Sequence, residues 1–179
     1  MADTKEKILI TALRLFAKDG YEAVSVRDIA QEVGITKGAM YRHYENKRDL
    51  FNSILARMEQ NDARYAEENG LPAGTAEEMP ESYLDISPEE VVSFSREMFR
   101  YWTRDEFASS FRKMLTLEQF RNAEMKTLYQ QYLVSGPAGY VADLFRSMGV
   151  PGAEDEAARS TRRCFCFTPY MTRRKIKTP

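Results

Sequence analysis

Hydrophobic residues recur at helical spacing along most of the chain, beginning with four short segments. Within each segment the apolar side chains lie three or four positions apart, which is typical of helices that bury one face. Gly20 ends the first segment and Gly34 the second, as glycine commonly does at the C-terminus of a helix. The apolar positions of the four segments are Leu9, Ala12, Leu13 and Phe16, then Val26, Ile29, Ala30 and Val33, then Met40 and Tyr44, and finally Leu50, Phe51, Ile54, Leu55 and Met58.

The rest of the chain is also helical in pattern, but its apolar runs are longer and richer in aromatic residues. A stretch rich in glycine, proline and acidic residues, at about 68–88, is predicted to be a loop or linker. Beyond it we predict long helices over 91–107 and 111–133, a Gly-Pro break at 136–137, and a new helix over 138–148. Because no segment shows a convincing strand pattern, the sequence predicts an all-α fold.

Capping residues mark the starts of three of the short helices. Ser25, with Asp28 three residues later, forms a capping box at the start of the second helix. Asn46 with Asp49 gives a similar start to the fourth helix, and Thr36 can cap the third. Local chemistry therefore specifies a helix, a glycine turn and a second helix, which is a helix-turn-helix.

The third helix carries small, polar and basic residues on the side away from the core. They form pairs four positions apart: Lys37 and Tyr41, Gly38 and Arg42, Ala39 and His43. A glycine within a helix costs about 1 kcal/mol relative to alanine, which is easier to explain if something approaches its backbone closely. Cationic and hydroxyl groups suit phosphate oxygens, whereas Arg, His and a small Ala suit base edges and the thymine methyl group. A solvated charged face is the alternative for any one residue, but the combination favours DNA binding.

The segment from Ile8 to Ile54 resembles the N-terminal domain of the TetR family of bacterial transcriptional regulators. It carries FAKDGY at the end of the first helix, SVRDIA at the start of the second and VGITKG across the turn. YRHY follows in the recognition helix, and NKRDL starts the fourth helix. Val33 departs from the alanine more usual in the family, which changes only packing at the turn. The resemblance covers about the first third of the chain.

This resemblance implies three sets of DNA-contacting residues. The edge of the groove would be contacted by Ser25, Val26 and Arg27. The bases would be contacted by Thr36, Lys37, Gly38 and Ala39. The phosphates would be held by Tyr41, His43 and Lys47. Arg42 joins them because a guanidinium group suits base edges.

The resemblance also implies a domain organisation. Residues 1–48 would be the DNA-binding domain, 49–172 a helical effector-binding and dimerisation domain, and 173–179 a basic tail. A sensor domain needs an apolar cavity, and methionine beside aromatic residues is a suitable lining. The candidates for contact with a small apolar or aromatic effector are Phe94, Met98, Trp102, Phe111, Phe120 and Tyr129. At helical spacing, residues of this kind belong to the core more often than to a pocket.

The C-terminal segment departs from the family pattern, in which an apolar helix completes a four-helix dimer interface. Residues 156–172 are interrupted by arginines and by Pro169, so we expect no apolar stripe there. A changed reading frame, a truncation or a disordered basic extension would each explain this composition. We predict disorder from about Arg173 onward and a dimer interface smaller than is usual for the family.

Composition and charge narrow the class of protein further. The formal net charge is −1, with 43% hydrophobic and 30% charged residues, so any affinity for nucleic acid must come from a local basic patch. The N-terminus lacks the apolar core of a signal peptide, and no apolar run is long enough to cross a bilayer. We therefore expect a cytoplasmic protein with no membrane partner. Cys164 and Cys166 are too close for an ordinary disulfide and too few for zinc, so we interpret them as free thiols.

The same chain offers little for catalysis. His43 is the one histidine, and it lies in the predicted recognition helix. Neither a phosphate-binding glycine loop nor an HExxH motif is present, so we expect no enzyme, metal site or cofactor. The sequence thus predicts a homodimeric transcriptional regulator that binds roughly palindromic operator DNA. We expect it to be a repressor that a small-molecule effector releases from the DNA. A helical protein-interaction module and a helix-turn-helix protein without ligand sensing are the alternatives.

Overall fold

The computed structural model describes residues 4–68 and 88–165, and every regular element in these residues is helical. This confirms the predicted all-α fold. The helices in chain order are α1 (Thr4–Asp19), α2 (Val26–Val33), α3 (Lys37–Met40), α4 (Lys47–Glu68), α5 (Pro88–Arg104), α6 (Glu106–Glu118), α7 (Ala123–Gln130), a π-helical turn (Gln131–Ser135), α8 (Gly136–Ser147) and α9 (Ala153–Phe165). None of these described helices combines the length and the apolar character needed to span a membrane.

The described residues fall into two compact units, and the first contains α1–α4 together with 105–126. Its core forms where α1 packs against α2, α4 and α6. Burying one large apolar side chain contributes roughly 1.5–3 kcal/mol, so the core dominates the stability of this unit. Its fully buried side chains include Ile8, Leu13, Phe16, Ile29, Leu50, Phe51, Ile54, Phe111 and Met114.

The boundary predicted between residues 48 and 49 falls within the first turn of α4. Leu50, Phe51, Ile54 and Met58 are buried in the first unit, because they form the apolar face of one continuous helix. The sequence prediction separated two functions, whereas the compact unit continues through α4 and takes in α6. The helix-turn-helix is therefore supported by helices on both sides of the predicted boundary.

The second unit contains α5, the end of α7, the π-helical turn, α8 and α9. The predicted helix over 111–133 is in fact interrupted, because Asn122 caps the start of α7 by accepting hydrogen bonds from the amides of Glu124 and Met125, at 3.0 and 3.2 Å. The predicted break of the helix at Gly136-Pro137 is not found. Pro137 lies in the first turn of α8, where a missing N–H costs little.

The segment predicted to lack a buried face is helical and packed over its first half. Helix α9 packs against α8 and buries Ala153 and Ala157, whose small side chains let the two helices approach closely. Acidic residues in its first turn suit the positive end of the helix dipole. Ala157 lies within residues 156–172 and Ala153 precedes them, so the helix packs against α8 while the expected absence of an apolar stripe there stays a prediction. Pro169, Cys166 and the predicted disordered residues 173–179 lie outside the described residues, as does the side chain of Cys164.

Candidate nucleic-acid interface

The start of α2 is fixed by the predicted capping box, which the structure confirms. The Ser25 Oγ accepts a hydrogen bond from the Asp28 amide at 3.2 Å, and the Asp28 carboxylate accepts one from the Ser25 amide at 2.8 Å. The Ser25 hydroxyl also donates to the same carboxylate at 2.7 Å. These bonds, first from the Ser25 side chain and then from its backbone, lower the pKa of Asp28.

The turn between α2 and α3 depends on Gly34, as predicted. Its φ of 81° lies in the left-handed region, where a residue with a Cβ is strained. Its amide donates to the carbonyls of Ala30 and Gln31, both at 3.1 Å, and so ends α2. Thr36 then caps α3 by accepting a hydrogen bond from the Ala39 amide at 3.1 Å. The helix-turn-helix therefore has the local geometry that its sequence predicts.

Helix α3 is shorter than the recognition helix expected from the sequence. It ends at Met40 and continues as tighter turns, in which the amides of Arg42 and His43 donate to carbonyls three residues earlier, at 3.2 and 3.0 Å. Met40 and Tyr44 are buried as predicted, and the Tyr44 hydroxyl donates to the Lys5 carbonyl at 3.1 Å. These buried residues fasten the short helix to the core while its other side faces solvent.

Most of the predicted DNA-contacting residues are exposed to solvent. Those that are exposed are Ser25, Arg27, Thr36, Lys37, Gly38, Tyr41 and Arg42, while Val26, Ala39, His43 and Lys47 are half-buried. The Lys37 Nζ lies 5.7 Å from the centre of the Tyr41 ring, so these two side chains are neighbours as expected. Tyr41 leaves 45% of its surface exposed, which is much for an aromatic residue and makes it available for contact.

Gly38 has no structural requirement for glycine in the free chain. A Cβ added there would meet no atom nearer than the Thr36 Oγ1, at 4.0 Å. Alanine would therefore fit and would favour the helix. The open space in front of this backbone agrees with close approach by a ligand outside the chain.

The side chain of Lys47 lies against the segment between α1 and α2. Its Nζ donates to the carbonyls of Tyr21 and Val24, at 2.9 and 3.1 Å, and lies 3.5 Å from the carbonyl of Glu22. It also lies 4.3 Å from the centre of the Tyr21 ring. The family resemblance implies a phosphate contact for this lysine, which stays a prediction, and in the chain without DNA the ammonium group binds the protein backbone.

The segment between α1 and α2 also contacts buried side chains of the first unit. Tyr21 is buried between Phe16 and Phe51, with 5.1 Å between ring centres on each side, and this burial raises the pKa of its hydroxyl. Glu118, at the end of α6, is 1% exposed and accepts a long hydrogen bond from the Glu22 amide at 3.4 Å. Sequence analysis missed Glu118. The available signal was its spacing from Phe111, Met114 and Leu115, which places it on the apolar face of α6.

The structure describes the side chains of five of the six predicted effector-contacting residues, and these five are divided between the two units. Phe111 is fully buried in the first unit, and Phe120, also in that unit, is 88% exposed and so lines no enclosed cavity. In the second unit Trp102 is 3% exposed, with ring centres of Tyr101 and Tyr132 at 5.6 and 6.5 Å. Met98 and Tyr129 are half-buried, and the side chain of Phe94 lies outside the described residues.

Comparison with known proteins supports the assignment of the first unit. Residues 8–54 match the family described as bacterial regulatory proteins, tetR family. Over 59 residues the chain is 42% identical to the HTH-type transcriptional regulator AcrR of Shigella flexneri, and over 56 residues it is 41% identical to the HTH-type transcriptional repressor BepR of Brucella suis. These matches cover 33% and 31% of this chain but only 27% of each relative. The matched proteins are transcriptional regulators and not enzymes.

Similarity of fold to a solved structure extends over a longer stretch of the chain than the sequence matches do. A solved gamma-butyrolactone receptor, described as ArpA-like, matches with a TM-score of 0.61 and 18% identity, covering 93% of this chain and 82% of the receptor. At this identity the likeness concerns the arrangement of helices alone. It extends beyond the helix-turn-helix into the helices that follow.

Proposed function

The chain carries the N-terminal helix-turn-helix domain of the tetR family of bacterial regulatory proteins, and on this basis we propose that it represses transcription by binding a roughly palindromic operator as a homodimer. The observation that carries the proposal is the exposed surface of the second half of the helix-turn-helix. Here Lys37, Gly38 and Tyr41 face solvent on a short helix that Met40 and Tyr44 anchor to the core.

The charges of this surface suit a polyanion although the whole chain is slightly acidic. Among the described residues, neither Arg27 nor Arg42 forms an ion pair, so both guanidinium groups can reach DNA. Residues 36–39 would face base edges in the major groove, where the open backbone of Gly38 allows close approach. Tyr41 and His43 would hold phosphates and fix the position of α3.

Dimerisation would repeat this surface on a second half-site. Two recognition elements related by a two-fold axis fit half-sites about 34–36 Å apart, or a multiple of that distance. The second unit would supply the interface, since α8 and α9 already pack together and are both amphipathic. Such a regulator would act in the cytoplasm, where its operator is accessible.

The proposed effector is a small apolar or aromatic molecule that binds near Trp102 in the second unit. It would release DNA only if it bound more tightly to a conformation whose half-site spacing no longer matched the grooves. A regulator without ligand sensing is a second candidate, because Phe120, one of the predicted effector-contacting residues, is 88% exposed.

Selection of bound duplexes from a random pool would test the proposal. We expect recovery of a palindromic sequence, with affinity that falls steeply as salt concentration rises. Lys37→Ala should weaken binding and relax base preference at one position, whereas Lys18→Ala, an exposed change on α1, should do neither. Failure to enrich any sequence, or identical behaviour of the two variants, would contradict the assignment of this surface.

A further inference from the structure

Both ends of the segment that contains α3 are bonded to the first turn of α1. We call residues 34–44 the recognition segment. Just before it, the carbonyl of Val33 accepts a hydrogen bond from the Lys7 Nζ at 3.0 Å. At its other end, the Tyr44 hydroxyl donates to the Lys5 carbonyl at 3.1 Å. These bonds join residues that are 26 and 39 positions apart, so neither belongs to the local capping pattern.

The bond from Lys7 caps the end of α2. Val33 is the last residue of α2 and is 5% exposed, and the last carbonyls of a helix have no partner within it. The turn satisfies an earlier carbonyl, because the amides of Gly34 and Ile35 donate to the carbonyl of Ala30 at 3.1 and 2.9 Å. Lys7 supplies a partner for Val33, and its positive charge suits the negative end of the helix dipole.

The bond from Tyr44 is made by a buried residue. Tyr44 is 2% exposed, and a buried hydroxyl group without a hydrogen-bond partner is costly. The Lys5 carbonyl supplies such a partner, and the Lys5 Nζ lies 5.4 Å from the centre of the Tyr44 ring, within the range of a cation–π interaction. Because so little of Tyr44 reaches the surface, it can affect DNA binding only through its contacts within the protein.

The first turn of α1 is itself fixed to α4. Two guanidinium nitrogens of Arg57 donate to the two carboxylate oxygens of Glu6, at 2.8 and 2.7 Å, which is the strong paired geometry of an arginine with a carboxylate. Ile8 and Leu9, which follow Lys7, are buried in the core. The recognition segment is therefore bonded to a turn that is held on two sides.

The recognition segment depends on such contacts because its helix is short. Helix α3 has four residues, fewer than a helix needs to be stable by itself. Its orientation is set by the buried Met40 near its middle and by the bonds at its two ends. Groups that read a ligand must be held to within roughly 0.5 Å of their productive positions. Loosening one end should therefore lower the discrimination between DNA sequences.

We propose that Tyr44 and Lys7 are positioning residues for base readout, which hold the two ends of the recognition segment against the first turn of α1. The inference rests on the proposed DNA-binding function and deepens it. Tyr44 and Lys7 are not among the predicted DNA-contacting residues. They act through the carbonyls of Lys5 and Val33, and the bases are contacted by other side chains.

The ratio of the affinities for a selected and an unselected duplex measures base readout. Tyr44→Phe removes the hydroxyl and keeps the ring, and Tyr65→Phe, at a half-buried position in α4, is its control. Lys7→Met is paired with Lys18→Met, an exposed change at the other end of α1. We expect the ratio to fall roughly fivefold in Tyr44→Phe and in Lys7→Met, the effect of one hydrogen bond, and to stay that of the wild type in both controls. The slope of log affinity against log salt should not change, since no phosphate contact is lost.

A loss of stability alone would give a different result. Unfolded molecules reduce the apparent affinity for both duplexes by the same factor, so the ratio is unaffected. An unchanged ratio in Tyr44→Phe and Lys7→Met, whatever their melting temperatures, would therefore overturn the inference. A salt slope lowered by about 0.9 in Lys7→Met would also overturn it, because Lys7 would then be a phosphate ligand. If the wild-type chain binds no duplex, the proposed function itself fails, which is distinct from an unchanged ratio in a chain that binds.

Amide hydrogen exchange tests the same point in the free protein. The amides of Tyr41 and His43 donate to carbonyls within the recognition segment, at 3.3 and 3.0 Å. In Tyr44→Phe both should exchange several-fold faster than in the wild type, whereas the amides of Ile54 and Met58 in α4 should keep their rates, because a local opening frees only the loosened segment. Equal acceleration in the recognition segment and in α4 would show global unfolding and would contradict the positioning role.

Discussion

The carboxylate of Glu118, at the end of α6, packs directly against the Cα of Gly20, at the end of α1. A Cβ added to Gly20 would overlap Oε1 of Glu118, and the φ of Gly20 is 94°, in the left-handed region. Gly20 also ends α1 by donating its amide to the Phe16 carbonyl at 3.0 Å. One glycine thus meets two independent requirements, a conformation that favours glycine and a close neighbour from another helix.

Replacing Gly20 should therefore lower the stability of the protein more than replacing a glycine that is needed for its backbone conformation alone. Gly20→Ala should lower the free energy of unfolding by roughly 2 kcal/mol or more, of which about 1 kcal/mol is conformational. Gly34→Ala is the matched control, because its φ is 81° but a Cβ there meets nothing within 4 Å. Urea unfolding would measure both variants. Equal losses would show that the contact with Glu118 contributes nothing.

Glu118 itself is a costly residue in this position. It is 1% exposed, and among residues 4–68 and 88–165 its Oε2 has no hydrogen-bond partner while its Oε1 accepts the long bond from Glu22. A buried carboxylate with so few partners is poorly compensated for its lost hydration. Glu118→Gln should raise the free energy of unfolding at neutral pH by about 1 kcal/mol, whereas the exposed control Glu59→Gln should leave it unchanged. A large loss of stability in Glu118→Gln would mean that the negative charge is needed.

The pH dependence of stability should report on the capping box of α2. Hydrogen bonds from Ser25 lower the pKa of Asp28 below the ordinary value of an aspartate, so the ionised carboxylate is favoured in the folded state. The stabilisation is therefore complete above this value and is lost as pH falls through the lower, folded-state pKa. In urea unfolding, Asp28→Asn should be less stable than the wild type at pH 6, and the difference should shrink below pH 4. A constant difference across this range would exclude the carboxylate's charge as the cause.

Local features of the fold were predictable, and contacts distant in sequence were not. The capping box of Ser25 and Asp28 and the turn at Gly34 depend on residues only a few positions apart, so the sequence predicted the helix-turn-helix directly. The break before α7 was missed because apolar residues recur on both sides of Asn122, so the hydrophobic period gives no signal of a cap there.

The two unexpected features of the site depend on longer contacts. Lys47 binds carbonyls 23 to 26 residues away, and Glu118 contacts the amide of Glu22, 96 residues earlier. The family resemblance implied a phosphate contact for the lysine, and no sequence pattern singled out the glutamate. The contacts of both side chains with the segment between α1 and α2 depend on how α4 and α6 pack against it.

Gly38 offers a prediction in which stability and function change in opposite directions. Alanine fits at this position, since the nearest atom to an added Cβ is the Thr36 Oγ1 at 4.0 Å, and alanine favours a helix by up to about 1 kcal/mol. Gly38→Ala should therefore raise the urea midpoint of the free protein. It should also weaken operator binding, because the added methyl group occupies the space in front of the backbone that DNA would approach. Denaturation and duplex titration on the same preparation would measure both effects, and a stabilised variant that binds more weakly cannot be explained by misfolding. If Gly38→Ala binds the selected duplex as tightly as the wild type, close approach of DNA at this glycine is excluded.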